Sequence, residues 1–369
     1  MIMKYILYTG SGIGDMAIIL PMARRIKLHD KNAYIMAFSR NNKKRFKAVR
    51  EILALQKWID EAIYYSIEET WQDVKLMYSL GIKQYDYAIK IACVDAQHIS
   101  KWPNRIMNVA SQKIVGMNLP FIKDINYDYS IDFCKEESVY NQSLKLLETI
   151  GISEFANEQA YPIFDFNKIV LNSNISSVLS DDKKKIILLP GCMPWEVITQ
   201  GKRVAKMSKK WDYIYWFALG DKLVEDGYCV VMLGGKKEKI EMEGMDNKLN
   251  NQIINLCGET SLSESLAIIG HSDLIVGSDT GLMHCANAIG TPSLTLFGCT
   301  DYRKYINPVP TAFYIQSIES CSPCYGTDKL IDCNDFKCMR SITVEMVYQK
   351  MLEILDGVQA KKYENKTDF

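Results

Sequence analysis

Apolar residues fall in short continuous runs separated by amphipathic stretches of helical length. In the first half of the chain, residues 4–8, 33–38, 61–65 and 87–91 read as strands, and residues 15–28, 42–55 and 69–80 between them as helices. The second half repeats the alternation, with strands at 185–189, 229–233, 252–256, 274–276 and 293–297 and helices at 215–226, 263–269 and 282–289. Strands that are apolar throughout, rather than at every second residue, are buried on both faces. Alternating with helices, they predict parallel sheets covered on each side. The predicted fold class is α/β, with two Rossmann-like, doubly wound domains. Ligands of such sheets bind beyond the carboxyl ends of the strands.

A chain of 369 residues exceeds what one small core fills, which also favours two domains. Residues 1–166 are expected to form the first and residues 185–342 the second. Residues 167–184, rich in Asn, Ser, Asp and Lys, read as a linker, and residues 343–369 as a final helix and charged tail. Residues 191–211 make a connection longer than usual between a strand and a helix, and read as a loop.

Charge modifies this picture only locally. Lys and Arg together match Asp and Glu, 44 against 44, so no global field advertises nucleic acid. Residues 1–50, however, carry eleven Lys/Arg against two Asp. Either these cap solvated helix ends or they form a basic rim for a phosphorylated or membrane-surface acceptor. No stretch is long and apolar enough to span a bilayer, and the N-terminus reads as a first strand rather than a leader. A cytoplasmic protein, at most peripheral to a membrane, is the expectation. Its eleven cysteines are then reduced thiols rather than disulfides.

Candidate chemistry concentrates where strands run into helices. Val276-Gly-Ser-Asp-Thr-Gly-Leu-Met-His284 joins a strand to a helix that stops at Gly290-Thr-Pro292. The unpaired N–H groups of Thr280, Gly281 and Leu282 at such a helix start suit a phosphate. Asp279 and His284 flank them with groups able to bind hydroxyls and phosphate oxygens; alone, the same residues would be a helix cap and a half-buried histidine. A matching unit, Gly10-Ser-Gly12-Ile-Gly14-Asp15, opens the chain. A nicotinamide fingerprint needs glycine at its sixth position, where Asp15 would instead repel a pyrophosphate. Asp15 is therefore either a helix-stabilising carboxylate or a catalytic one beside the glycine loop of Gly12 and Gly14. Lys209 and Lys210 could neutralise a leaving diphosphate, and Glu238, just past a strand end, could hold a ribose. Cys321-x2-Cys324-x8-Cys333-x4-Cys338 has the spacing of a tetrahedral thiolate site for structural zinc or iron.

Together these segments resemble the family 9 glycosyltransferases, the family of the ADP-heptose lipopolysaccharide heptosyltransferases. Gly12-Ile-Gly-Asp15 with Ile19-Leu-Pro21 is similar to that family's opening signature, and 85–91 to its central first-domain strand. Leu188–Gly191, Lys209-Lys-Trp211, Leu233–Glu238, Val276–His284, Gly290-Thr-Pro292, Leu296-Phe-Gly298, Thr300-Asp301 and Cys321-Ser-Pro-Cys324 follow in family order. The resemblance implies a GT-B fold, two Rossmann-like domains facing a central cleft, and an inverting sugar transfer that needs no catalytic cofactor. Asp15 matches the family's candidate base, Lys209 its phosphate-binding lysine and Glu238 its nucleoside contact. Asp279 matches the sugar-hydroxyl contact, and Thr280, Gly281, Leu282 and His284 the diphosphate cradle. An insertion between Gly191 and Lys209, containing Trp195 and Arg203, makes Lys210 a competitor for the lysine role. The implied donor is a nucleoside diphosphate sugar, ADP-heptose being favoured. The implied acceptor is a lipopolysaccharide core, another glycan or lipid-linked acceptor, or, as in heptosyltransferases of autotransporters, a protein.

Overall fold

The computed structural model of the chain describes residues 2–10, 12–40, 46–65, 79–91, 101–119, 126–134, 136–153, 164–166, 169, 171, 173–199, 202–206, 208–325 and 327–359. The chain divides into two compact units, Met1–Asp165 and Phe166–Phe369.

The first unit holds six strands, β1 (Lys4–Gly10), β2 (Tyr34–Arg40), β3 (Glu61–Tyr65), β4 (Tyr85–Lys90), β5 (Ser111–Asn118) and β6 (Tyr129–Asp132). All neighbours pair in parallel, in the order β3-β2-β1-β4-β5-β6. Alternation along each strand sends side chains to two different cores. Tyr5, Leu7, Ile35, Ile89 and Val115 meet the helices Ile13–His29 and Val139–Glu148, whereas Ile6, Met36, Phe38, Ala88 and Ile114 meet Ile106 and Met107 of the helix Lys101–Ala110. This is why the strands are apolar at nearly every position.

The second unit repeats the plan with β7 (Lys185–Leu189), β10 (Cys229–Met232), β11 (Ile254–Asn255), β12 (Leu274–Ser278), β13 (Ser293–Phe297) and β14 (Ala312–Gln316), again parallel, in the order β11-β10-β7-β12-β13-β14. Counted within each unit, both sheets run 3-2-1-4-5-6. Strand order therefore reverses between β1 and β4 in one and between β7 and β12 in the other, and a doubly wound sheet opens its ligand crevice at such a reversal. The second core packs Ile186, Leu188, Val230, Met232, Leu274, Val276, Leu294 and Leu296 against Trp211, Trp216 and Leu223, and against Val347, Met351 and Ile354 of the helix Val344–Gln359. Trp211 is fully buried, edge-on to Trp216 at 4.7 Å, and its indole N–H donates to the Ile342 carbonyl at 2.8 Å. Burying one such ring contributes on the order of 4–6 kcal/mol as an upper figure. The chain immediately before it is therefore firmly anchored.

Within the described residues the predicted strands and helices are present, the strand expected over 252–256 shortened to Ile254–Asn255, with further differences that have physical causes. β5, β6 and β14 were not anticipated: β5 mixes Gln112, Lys113 and Gly116 with apolar residues, β6 is four residues long, and β14 is a half-buried edge strand between prolines and a polar loop. Residues 191–211, expected as a loop, contain an antiparallel pair, β8 (Trp195–Thr199) and β9 (Lys202–Lys206). Part of the expected linker is the helix Ser173–Ser180, which packs against the helix Leu262–Gly270. The helix expected over residues 69–80 lies mostly outside the described residues. Among the described residues no helix is long and apolar enough to cross a membrane.

Candidate functional site

In the second unit the chemistry gathers at the carboxyl end of the sheet, beside the β7/β12 reversal. β12 delivers the buried Ser278 and Asp279, and the chain turns through Thr280 into the helix Gly281–Ile289. Thr280 is the cap residue, extended at φ −138° and ψ 165°, and its side chain makes no capping bond. Thr280, Gly281 and Leu282 are half-buried. The first N–H groups of this helix thus have no acceptor in its own cap, and the positive end of the helix is available to an anion. The other end closes as the sequence implies. Gly290 adopts φ 87°, which a side chain would strain, and the N–H groups of Gly290 and Thr291 both donate to the Ala286 carbonyl.

Asp279 is the electrostatic centre. One carboxylate oxygen accepts from Lys209 Nζ at 2.8 Å and the other faces His284 Nε2 at 3.2 Å. Its side chain is only 2% exposed. Burial pushes its carboxyl up, but the Lys209 ammonium and the hydrogen bond and charge of His284 together outweigh burial and hold it well below the usual carboxylate range. His284 Nδ1, Ser278 Oγ and Thr300 Oγ1 are buried polar atoms with no hydrogen-bond partner among the described residues. Native proteins rarely leave such groups unmet, and these three stand at the end of β12, in the helix that follows it and just past β13.

The geometry separates the two consecutive lysines. Lys209 reaches Asp279, while Lys210 pairs with Glu241 at 2.8 Å and lies over the Tyr213 ring at 4.4 Å. The Glu241 carboxyl is raised by burial, but hydrogen bonds from Lys210 and Tyr213 bring it below its ordinary value. Glu238 stands in the first turn of the helix Lys236–Met242, where its Oε2 accepts from the Gly235 N–H at 2.8 Å. Its carboxylate lies close against Gly191, where an added Cβ would sit 2.6 Å from Glu238 Cδ. Gly191, just past β7, is thus a glycine that lets Glu238 lie across the strand end.

In the first unit, Gly12 caps the helix Ile13–His29 and Asp15 sits half-buried in its first turn; Gly14 is beside it. Tyr8 and Lys90 are register partners at the carboxyl ends of β1 and β4. Lys90 is buried, its ammonium 5.7 Å from the Tyr8 ring centre, and burial pushes it down to about 8. Thr9 Oγ1 is buried without a hydrogen-bond partner among the described residues. Much of the basic excess of residues 1–50 is spent internally. Arg24 covers Trp58, the buried Arg25 covers Tyr140, Arg50 covers Tyr64, and Lys27 pairs with Asp60 at 2.7 Å. Residues 41–45 lie outside the described set.

The four cysteines of the spaced motif are neighbours. Burial, then the nearby thiols, push Cys324 up to about 11 and Cys338 up to about 12. Cys299 belongs to the same group, its carbonyl accepting from the N–H groups of Cys324 and Tyr325 at 2.8 and 2.9 Å. Among the described residues, though, no three or more His, Cys, Asp or Glu side chains are arranged to hold a metal ion.

Cys299, Tyr305 and Tyr325 carry no motif and were missed from sequence, whereas Ser278 and Thr300 stood in quoted segments without a role of their own. Thr300, three residues past the end of β13, had a signal in its position beyond a strand's carboxyl end.

Residues 161–334 match the family model described as glycosyltransferase family 9 (heptosyltransferase). Lipooligosaccharide heptosyltransferase 2 of Haemophilus influenzae is 31% identical over 154 residues, 40% of this chain and 44% of that protein, so the match spans less than half of that relative. ADP-heptose lipopolysaccharide heptosyltransferase II of Escherichia coli superposes with a TM-score of 0.68 at 22% identity, covering 97% of this chain and 100% of that one. A family 9 glycosyl transferase of Veillonella parvula gives 0.70 at 16% identity, covering 96% and 97%. The two parallel sheets, each with its strand-order reversal, match the GT-B architecture of these structures. Residues 161–334 thus carry the sequence of glycosyltransferase family 9, the heptosyltransferase family, and the chain has the fold that structures of this family share.

Proposed function

We propose that the protein is an inverting glycosyltransferase of the cytoplasm that moves a heptose from ADP-heptose to a hydroxyl of a lipopolysaccharide core or related glycan. The observation that carries this reading is the buried Lys209–Asp279–His284 centre at the start of the helix Gly281–Ile289, beside the β7/β12 reversal. The names of the matched relatives support heptose as the sugar and lipopolysaccharide or lipooligosaccharide as the acceptor class.

In the proposed step the acceptor oxygen attacks the anomeric carbon and gives its proton to Asp15. The bond from that carbon to the diphosphate oxygen breaks, and the nucleoside diphosphate leaves from the opposite face. Its charge is met by the N–H groups of Thr280, Gly281 and Leu282, by Lys209 and by His284. These donors are fixed before the reaction, so little reorganisation is needed as charge develops. Asp279 holds Lys209 and His284 in place and faces the sugar hydroxyls, and Glu238 meets the nucleoside.

The two lysines supply a test. Lys209→Ala should weaken ADP binding roughly tenfold or more, because a charge-assisted contact to phosphate is lost, whereas Lys210→Ala should change it by less than about twofold. Calorimetric titration of ADP checks this. Equal losses in both variants, or a loss confined to Lys210→Ala, would remove Lys209 from the donor site.

A further inference from the structure

From the contacts between the cysteine-rich segment and Lys209, we infer that Tyr325 is a positioning residue for this lysine, assisted by Tyr305, and that the segment forms the back wall of the donor site. This rests on the reading of Lys209 as a diphosphate ligand.

Lys206, Ser208 and Trp211, on either side of Lys209, are each fastened. Lys206 Nζ donates to the Cys333 carbonyl at 3.0 Å and to Asn334 Oδ1 at 2.7 Å. The buried Ser208 Oγ accepts from Cys299 Sγ at 3.4 Å. Trp211 is locked into the core by its indole bond to Ile342. Between these anchors, Lys209 Nζ lies 4.8 Å from the ring centre of Tyr325 and 5.8 Å from that of Tyr305. The two rings stand edge to face, 87° apart in plane with centres 6.3 Å apart. Tyr325 is held in turn through its own N–H to the Cys299 carbonyl, which also receives the N–H of Cys324.

The arrangement has a physical purpose. A lysine is a point charge on a flexible four-carbon stem, and ordering that stem subtracts from what its charge contributes to binding. Two aromatic rings attract the ammonium through their negative faces and restrict it before a ligand arrives. Asp279 draws the same ammonium from the side of the helix start. The cage thus keeps Lys209 within reach of an incoming diphosphate while its bond to Asp279 is exchanged. In this account the cysteine-rich segment matters to the site because it carries Tyr325.

The test is a double-mutant cycle on the full chain, read by calorimetric titration with ADP. Tyr325→Leu should weaken ADP binding roughly three- to tenfold, the range of a partly desolvated cation–ring contact. Tyr325→Phe, which keeps the ring face, should restore affinity to within about twofold of the parent. In a Lys209→Ala background, Tyr325→Leu should cost nothing further, since two groups acting as one unit are not additive. A merely structural tyrosine would give the same loss in both backgrounds, and that result would overturn the inference. So would parental affinity in Tyr325→Leu when Lys209→Ala binds weakly. Parental affinity in Lys209→Ala itself would instead overturn the donor-site reading. A thermal midpoint for each variant confirms folding, and Tyr325→Met, which fills similar volume without a ring face, repeats the measurement if the leucine variant is unstable.

Discussion

Asp15→Asn should lower turnover by roughly 10²–10⁴ while leaving ADP affinity within about twofold of the parent. The amide preserves the volume of the half-buried side chain and removes only its ability to accept a proton. Asp15 belongs to the first unit, in the opening turn of the helix Ile13–His29, while the proposed nucleotide contacts belong to the second. A base in one unit and a leaving-group site in the other should therefore separate cleanly in kinetics: kcat falls and nucleotide binding stays. Losing a carboxylate from a helix N-terminus costs only about 0.3–1 kcal/mol, so the variant should fold. Steady-state rates with ADP-heptose and a heptose-acceptor glycan, beside an ADP titration, check both halves. A parallel collapse of ADP affinity would mean that Asp15 serves binding or folding rather than proton transfer.

Asp279 should show the largest stability effect. Asp279→Ala leaves Lys209 and His284 facing a cavity without their shared counter-charge. Removing one partner of a buried pair typically costs about 3–5 kcal/mol. For a unit of this size that corresponds to a fall of roughly 6–20 °C in thermal midpoint. Asp279→Asn keeps the shape and some hydrogen bonding, so its loss should be smaller. Acid titration gives a second readout. The folded carboxyl lies well below its unfolded value of 3.8, because Lys209 and His284 together outweigh the effect of burial. The unfolded chain therefore binds the proton first as pH falls. The stability that Asp279 contributes is full above the unfolded value and drains away as pH drops below about 4. Thermal midpoints of the parent should fall across that acid range, and those of Asp279→Asn should fall less steeply. Identical acid limbs in the two proteins would show that Asp279 carries no such linkage.

The fold was legible because its strands are buried on both faces. β7 and β13, buried throughout, stand at the residues their apolar runs marked, and the helix Gly281–Ile289 ends at the glycine expected to stop it. β5 and β14 escaped because partial exposure admits polar residues and breaks the run. The β8–β9 pair escaped because a long connection was read by its length, although Val197, Ile198 and Val204 mark strand-like stretches on either side of Gly201. The centre of the site was visible in the spacing of Asp279, Thr280, Gly281 and His284, which puts them at one strand-to-helix turn. The choice between Lys209 and Lys210 was not, since adjacent residues point in different directions and only the fold decides which meets Asp279. Tyr305 and Tyr325 were invisible for a related reason. They come from segments 96 and 116 positions beyond Lys209, and tyrosine in a loop carries no signal of what it will cover.

Soaking or co-crystallising the protein with ADP addresses the central claim most directly. The diphosphate should lie within hydrogen-bond distance of the N–H groups of Thr280, Gly281 and Leu282, with Lys209 Nζ turned toward its oxygens and Glu238 toward the nucleoside. Density for ADP elsewhere, with the start of the helix Gly281–Ile289 untouched and Lys209 still committed to Asp279, would contradict the account.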